Sequence, residues 1–186
     1  SYLIDIQNWS TAAYSYTEYG FIEPLENLST KETRPLLKES RGQHNQAKSI
    51  KALVTASKEL ALQLRTNRGN ELFLGETATA IQNHFKEVQE MSDEFSAPLS
   101  ELMEVVANKS QKLQNKGKCN WLIAARLASD DNLIQQTCSL LREGIVSYVC
   151  LENGLDQGKK TDRALVENIL NAIGNNVSED KWDVPT

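Results

Sequence analysis

Few side chains of this sequence have the types and spacing that enzyme or metal chemistry requires. Of the two histidines, His84 has a carboxylate, Glu87, three residues further on, a spacing that places both on one helix face. A metal site needs two or three more ligands, and no second histidine is in register. No Gly-rich phosphate loop and no Gly-x-Ser-x-Gly motif occurs. We therefore expect no catalytic residue, no bound metal, no cofactor and no enzyme activity.

Cys119 is the side chain best placed for reactivity. It follows Lys116 and Lys118 at a predicted helix N-terminus, where the helix dipole and two ammonium groups would lower the pKa of its thiol. A nucleophile is one interpretation, and a half-buried cysteine at the start of a helix is the one we favour. Three cysteines cannot all pair, which favours a reducing compartment, so we expect a cytoplasmic location.

Positive charge is concentrated between residues 31 and 68. This segment has nine Lys and Arg residues against three acidic residues, whereas the whole chain has a formal net charge of −5. Six of the basic residues recur at helical spacing and form what we name the basic stripe: Arg34, Lys38, Arg41, Lys48, Lys51 and Lys58. Such a stripe can bind a nucleic-acid backbone, a phosphoinositide surface or an acidic protein, with Lys38, Arg41, Lys48 and Lys51 as the candidate contacts.

The basic stripe has a second interpretation, which we favour. The following segment, 71–104, holds eight acidic residues and a single lysine. Antiparallel helices of opposite charge can form ion pairs on either side of their contact, as in a coiled coil. An acidic pI near 5.2 also argues against a dedicated nucleic-acid binder. We therefore expect internal ion pairing, and nucleic acid stays open as a less favoured partner.

Aromatic residues are crowded at the amino-terminal end. Six of the twelve lie within the first 21 residues: Tyr2, Trp9, Tyr14, Tyr16, Tyr19 and Phe21. We expect them to cover the open end of a helical bundle. Because Tyr and Trp are enriched in the hot spots of protein interfaces, the same residues can also dock a second subunit or another protein. The candidate contacts for that role are Trp9, Tyr14, Tyr16, Tyr19 and Phe21.

The elements that must position these residues are helices. From Ser29 to Gly69, apolar or small residues alternate at spacings of three and four, which predicts one long helix capped by Ser29 or Thr30. Only Gln43 does not fit this series. A second series of the same period covers 74–113, so the two helices should form an antiparallel hairpin about Gly69.

Further helical segments surround this hairpin. We expect a break or kink at Pro98, and predict helices over 3–18, over the dense apolar segment 119–128, and after Thr161. The apolar face of the helix that ends before Gly154 is predicted to consist of Ile134, Cys138, Leu141, Ile145 and Tyr148, or of a slightly shifted set.

These segments predict an all-α fold, an antiparallel helical bundle of about five to six helices with a long central hairpin. The length suits a single domain over 1–186, with an aromatic-rich N-terminal segment at 1–28 and a polar C-terminal tail at 175–186. The longest uncharged apolar run falls far short of the roughly 18 residues that a membrane span needs, so we expect a soluble chain.

Three functions are compatible with this architecture. The first is a non-enzymatic helical-bundle protein that acts through protein–protein interaction or self-association, as a scaffold, adaptor or structural subunit. The second is a bundle that binds a small apolar ligand or a lipid in its core. The third is a structural protein that binds anions or nucleic acid through the basic residues of 31–68. We expect the first.

Overall fold

The computed structural model describes residues 2–90 and 97–178, without the side chains of residues 2–6, 9 and 97–100. All regular elements in this part of the chain are α-helices. Their bounds are α1 Tyr2–Tyr19, α2 Glu23–Glu39, α3 Asn45–Arg65, α4 Gly69–Leu74, α5 Glu76–Glu90, α6 Ala97–Ser110, α7 Asn120–Asp130, α8 Ile134–Glu152 and α9 Lys160–Gly174. The predicted all-α class is confirmed, and the nine helices of the described residues exceed the predicted five to six. None of these helices is both long and apolar enough to cross a membrane.

The chain divides into two compact units, Ser1–Leu140 and Leu141–Thr186. The first unit contains α1 to α7 and the beginning of α8, and the second contains the rest of α8 and α9. A single domain over 1–186 stays a prediction, and each unit is described by itself below.

The first unit is built around α3. This helix buries residues on most of one side, among them Ala47, Ile50, Val54 and Leu64, and packs chiefly against α5 and α2. Burial of such side chains is the main source of stability for a helix whose exposed face is polar.

The helices α3 and α5 form the predicted antiparallel hairpin. Near its closed end Gln63 Nε2 donates to Thr77 Oγ1 at 2.9 Å, and near its open end Ser49 Oγ donates to Glu87 Oε2 at 3.0 Å. The connection between them includes the short helix α4, which begins at Gly69.

A single helix from residue 29 to residue 69 was the wrong prediction, because the chain turns between α2 and α3. Arg41 and Gly42 have φ values of 51° and 81°, in the left-handed region that a helix cannot contain. His44 then caps α3, its Nδ1 accepting from the Ala47 N–H at 3.3 Å. The predicted cap Ser29 lies inside α2, where its Oγ donates to the Glu26 carbonyl at 3.0 Å.

Two expectations fall on residues that the structure does not describe. The segment 91–96 lies between α5 and α6 in the chain, so the residues that would decide the expected break or kink at Pro98 lie outside the described residues. The same holds for residues 179–186 of the predicted polar tail, which include Trp182 and Val184.

The second unit is a pair of helices with its own small core. Val146 and Cys150 of α8 pack with Val166 of α9. Arg163 of α9 binds the Glu143 carboxylate and donates to Ser147 Oγ at 3.0 Å. These contacts join the two helices of this unit.

The predicted apolar face of α8 is largely exposed. Ile134, Ile145 and Tyr148 keep 65%, 42% and 41% of their surface accessible, and Cys138 is exposed as well. The buried positions Val146 and Cys150 belong to a neighbouring stripe, which corresponds to the shifted set that the spacing left open.

Candidate functional site

The turn at Gly20 fixes the corner at which α1 ends and the chain enters α2. Gly20 has a φ of 61°, a left-handed conformation that glycine adopts without strain. The Gly20 N–H donates to the Tyr16 carbonyl and the Phe21 N–H donates to the Ser15 carbonyl, both at 3.0 Å, a pattern typical of helix C-termini. Ile22 is buried immediately after the turn. The corner is therefore held by backbone hydrogen bonds and by burial.

Three aromatic side chains and one arginine meet at this turn, and we name this set the aromatic corner: Tyr14, Tyr19, Phe21 and Arg65. The ring centroids of Tyr14 and Tyr19 lie 5.9 Å apart with an interplanar angle of 78°, an edge-to-face contact. Those of Tyr19 and Phe21 lie 6.2 Å apart. The three rings keep 57%, 42% and 45% of their surface exposed in the order Tyr14, Tyr19, Phe21. They form one exposed aromatic surface.

Arg65 of α3 contacts both Tyr19 and Phe21 in the aromatic corner. Its Nη2 donates to the Tyr19 carbonyl at 3.0 Å, and its guanidinium carbon lies 4.4 Å from the Phe21 ring centroid, within cation–π range. A hydrogen bond with Tyr19 is the main cause of the raised pKa of the Tyr14 hydroxyl. Both features place hydrogen-bonding groups beside apolar rings.

The other two predicted aromatic contacts have different positions. Tyr16 is 1% exposed and lies in the core. Burial, and then the charge of Asp131, raise the pKa of Tyr16 far above its ordinary value of 10. Trp9 belongs to α1, but its side chain lies outside the described part of the structure.

A buried ion pair lies next to the turn at Gly20. Lys109 of α6 binds the Asp131 carboxylate, with side chains that are 11% and 2% exposed. The same ammonium donates to the Tyr16 carbonyl at 2.9 Å and lies 4.6 Å from the Tyr16 ring centroid. Asp131 also lies so close to Gly20 that a Cβ at this glycine would overlap its carboxylate. The pair thus connects α6 and the end of α7 to the end of α1.

The basic stripe is divided by the turn at Gly42. Lys38 lies on α2, Arg41 in the turn, and Lys48 and Lys51 on α3, and all four are exposed. In the described part of the chain neither Lys48 nor Lys51 forms an ion pair with the acidic segment 71–104.

One residue of the stripe does form an ion pair, and its partner was not the expected one. Lys58 binds Glu26 at 2.7 Å and so joins α3 to α2, not to α5. Glu87, in the acidic segment, accepts instead from the Ser49 hydroxyl.

The residues considered for metal or nucleophilic chemistry stay isolated. His84 Nδ1 lies 3.1 Å from Glu87 Oε2, and this contact is the main cause of the lowered pKa of Glu87. No group of three or more metal-ligating side chains occurs among the residues that the structure describes. Cys119 takes the N-cap position of α7 and is exposed, rather than half-buried as we expected.

The structure also contains a groove that the sequence did not predict. We name it the α6–α7 groove; it has a volume of about 420 Å³ and is half open to solvent. Its walls include Val105 of α6, Lys112 in the turn after α6, and four residues of α7: Leu122, Arg126, Leu127 and Asp130. The sequence feature that relates to it is the dense apolar segment 119–128, which forms most of α7 and is apolar on most of its sides.

Comparison with known proteins gives no relative. No family model, no curated protein and no solved structure matches this chain.

Proposed function

We propose that this chain is a non-enzymatic interaction module that binds a protein partner through the aromatic corner. The observation that carries this proposal is the contact of three exposed aromatic rings at one fixed turn. Exposed apolar groups that contact one another mark interaction sites more reliably than single exposed residues do. Tyr is also among the residues that dominate the energy of protein interfaces.

The corner is ordered before any partner arrives. Gly20 closes α1 through backbone hydrogen bonds, and Arg65 is hydrogen-bonded to the backbone beside the rings. Tyr and Phe lose few rotatable bonds when they are held, so little conformational entropy remains to be lost on binding. This preorganisation favours affinity, because the entropy lost when side chains become ordered on binding would otherwise weaken the complex.

The chemistry of the corner indicates the chemistry of its partner. The rings supply apolar area, whereas the hydroxyls of Tyr14 and Tyr19 and the guanidinium of Arg65 can hydrogen-bond at its edge. A complementary surface therefore presents an apolar side chain surrounded by hydrogen-bond acceptors, such as backbone carbonyls or a carboxylate. A short peptide segment carries all of these groups.

Selection of peptides from a random phage-displayed library tests the proposal without knowledge of the natural partner. Peptides that bind the unmodified chain should lose binding when Tyr14→Ser and Phe21→Ser are combined, because both side chains are exposed and their loss leaves the fold intact. The matched control is Ile145→Ser, which removes a side chain of similar exposure from the second unit. Circular dichroism and thermal unfolding verify that both variants fold.

The outcome of the selection is decisive in either direction. Peptides whose binding is lost with the corner variant and kept with the Ile145 variant support the proposal. If the selected peptides bind both variants alike, or lose binding only with Ile145→Ser, the aromatic corner is not the interaction surface. Sedimentation of the unmodified chain shows whether the partner is a second copy.

The basic stripe supplies the competing function. Binding of RNA or of anionic vesicles that weakens steeply with salt and disappears on combining Lys48→Glu with Lys51→Glu would favour an anion-binding protein instead. We expect no such binding, since the chain carries a net charge of −5 and these lysines lie on a helix separate from Lys38.

A further inference from the structure

The α6–α7 groove combines an apolar floor with positive charge at its edge. Val105, Leu122 and Leu127 supply apolar surface, and Leu122 alone keeps half of its surface exposed. Lys112 and Arg126 lie in the same walls. An exposed leucine in a concave site is informative because apolar side chains in such places usually line a ligand pocket.

Helical spacing explains how α7 contributes to the groove. On α7, Leu122 and Arg126 are four residues apart, a spacing that returns to the same face of an α-helix. On the other wall Val105 lies on α6, and Lys112 lies in the turn that follows the end of α6 at Ser110. Each wall therefore presents an apolar side chain and a cation to the same space.

The charges at the groove favour an anion. Lys109 also contacts it, but its ammonium is bound to Asp131 and to the Tyr16 carbonyl. Lys112 and Arg126 form no ion pair within the described residues, and Asp130 is the one acidic side chain in the walls. Two uncompensated cations against one carboxylate leave the groove with a net positive charge.

We propose that the α6–α7 groove binds an amphipathic monoanion with a single alkyl chain, namely a free fatty-acid carboxylate. The chain lies along Val105, Leu122 and Leu127, and the carboxylate binds Lys112 and Arg126. A volume of about 420 Å³ is at the lower end of the range for ligand pockets, which suits one alkyl chain and excludes the two chains of a phospholipid. This site is separate from the aromatic corner and does not depend on the proposed function.

Titration calorimetry with dodecanoate tests the proposal. We expect saturable binding of one dodecanoate per chain, with affinity falling about tenfold for each two methylene groups removed, in the series dodecanoate, decanoate and octanoate. Dodecyltrimethylammonium has the same chain and the opposite charge, so it should bind more weakly than dodecanoate.

Two variants with matched controls locate the site. Leu122→Gln should weaken dodecanoate binding about tenfold, whereas Ile145→Gln, at a similarly exposed isoleucine of the second unit, should not change it. Replacing Lys112 and Arg126 together by Gln should weaken it roughly fivefold or more. Replacing Lys48 and Lys51 by Gln removes the same total charge and should have no effect.

Each other result overturns the inference. It is wrong if dodecanoate does not saturate the chain below its micelle concentration, or if the cationic detergent binds equally well. It is also wrong if the control variants lose as much affinity as the groove variants. The charge variants change exposed side chains only, so they keep the test valid even where Leu122→Gln alters folding.

Discussion

The buried pair of Lys109 and Asp131 gives the sharpest test of how the first unit is held together. The ammonium has three partners, namely the Asp131 carboxylate, the Tyr16 carbonyl and the Tyr16 ring. With the carboxylate 2% exposed, water cannot replace any partner that a substitution removes. We therefore consider Lys109→Met, Asp131→Asn and the combination of both.

Each single variant should lose more unfolding free energy than the double variant does. Removing either partner leaves a buried charge without compensation, which costs about 3–5 kcal/mol of unfolding free energy. Removing both leaves no such charge, and replacement of a buried pair by neutral groups is often close to neutral. The Tyr16 carbonyl keeps one donor, the Gly20 N–H at 3.0 Å. We expect the double variant to lose about 1–3 kcal/mol, far less than the sum of the single losses.

Burial raises the pKa of the Asp131 carboxyl, and the Lys109 ammonium opposes that rise. In Lys109→Met only the charge of Arg65 still opposes it, so the folded state binds a proton more tightly than the unfolded state, whose pKa stays near 3.9. Stability then increases as the pH falls toward that value. The deficit of Lys109→Met should thus be smaller at pH 5 than at pH 7.

Urea unfolding of the four proteins at pH 7 and pH 5 measures both effects. The exposed pair of Lys58 and Glu26, treated with Met and Gln in the same way, is the control, and its coupling should be small because solvent screens it. If the losses of Lys109→Met and Asp131→Asn add within about 0.5 kcal/mol, the pair does not act as a buried unit and this reasoning fails.

Three further outcomes follow from single residues. Gly75 and Gly42 both have a left-handed φ, but only a Cβ at Gly75 would overlap a neighbouring backbone carbonyl. Gly75→Ala should therefore lower the unfolding free energy clearly more than Gly42→Ala does. Equal losses would contradict the close packing at Gly75. Burial raises the pKa of the Cys150 thiol, and iodoacetamide should therefore alkylate exposed Cys119 much faster, as mass spectrometry of timed samples can measure. Burial keeps the Tyr16 hydroxyl protonated in the native state, whereas the same hydroxyl ionises above about pH 10 in the unfolded chain. The unfolding free energy should therefore fall between pH 9 and pH 11 by up to about 1.4 kcal/mol per pH unit. The fall should be smaller in Tyr16→Phe.

The helical class and the centre of the first unit could be predicted because their signal is local. Apolar and small residues at Ala47, Ile50, Val54 and Ser57 recur at the period of a helix, and all of them are buried on α3. The antiparallel arrangement followed from the short connection at Gly69. Both depend on the order of residues along one segment of chain.

The turn between α2 and α3 could not be predicted from that periodicity. Its geometry depends on two consecutive left-handed residues, Arg41 and Gly42, and a single glycine within a periodic series is compatible with a continuous helix. The residue that departed from the series, Gln43, lies in the connection itself. On α8 periodicity left two stripes open, and the stripe that includes Ile145 is the exposed one, because spacing alone does not say which of two stripes finds a neighbour.

The candidate site was predictable in composition but not in geometry. Crowding of aromatic residues in the first 21 positions indicated an unusual surface, yet Tyr14 and Tyr16 are two residues apart and so face nearly opposite sides of α1. One is exposed and the other buried. The α6–α7 groove exists only because the packing of two consecutive helices leaves a space between them, and the periodicity of neither helix encodes that space.

Lys109 connects the two surfaces for which we propose ligands, the aromatic corner and the α6–α7 groove. It contacts the α6–α7 groove, and its ammonium also donates to the Tyr16 carbonyl at the end of α1, where the aromatic corner begins. An anion in the groove attracts this ammonium, whereas Asp131 and the carbonyl hold it in place. Any displacement of Lys109 toward the groove removes a hydrogen bond from the end of α1 and weakens the attachment of Asp131 beneath Gly20. The order of the aromatic corner therefore depends on a side chain that contacts the groove, although the corner and the groove share none of their own residues.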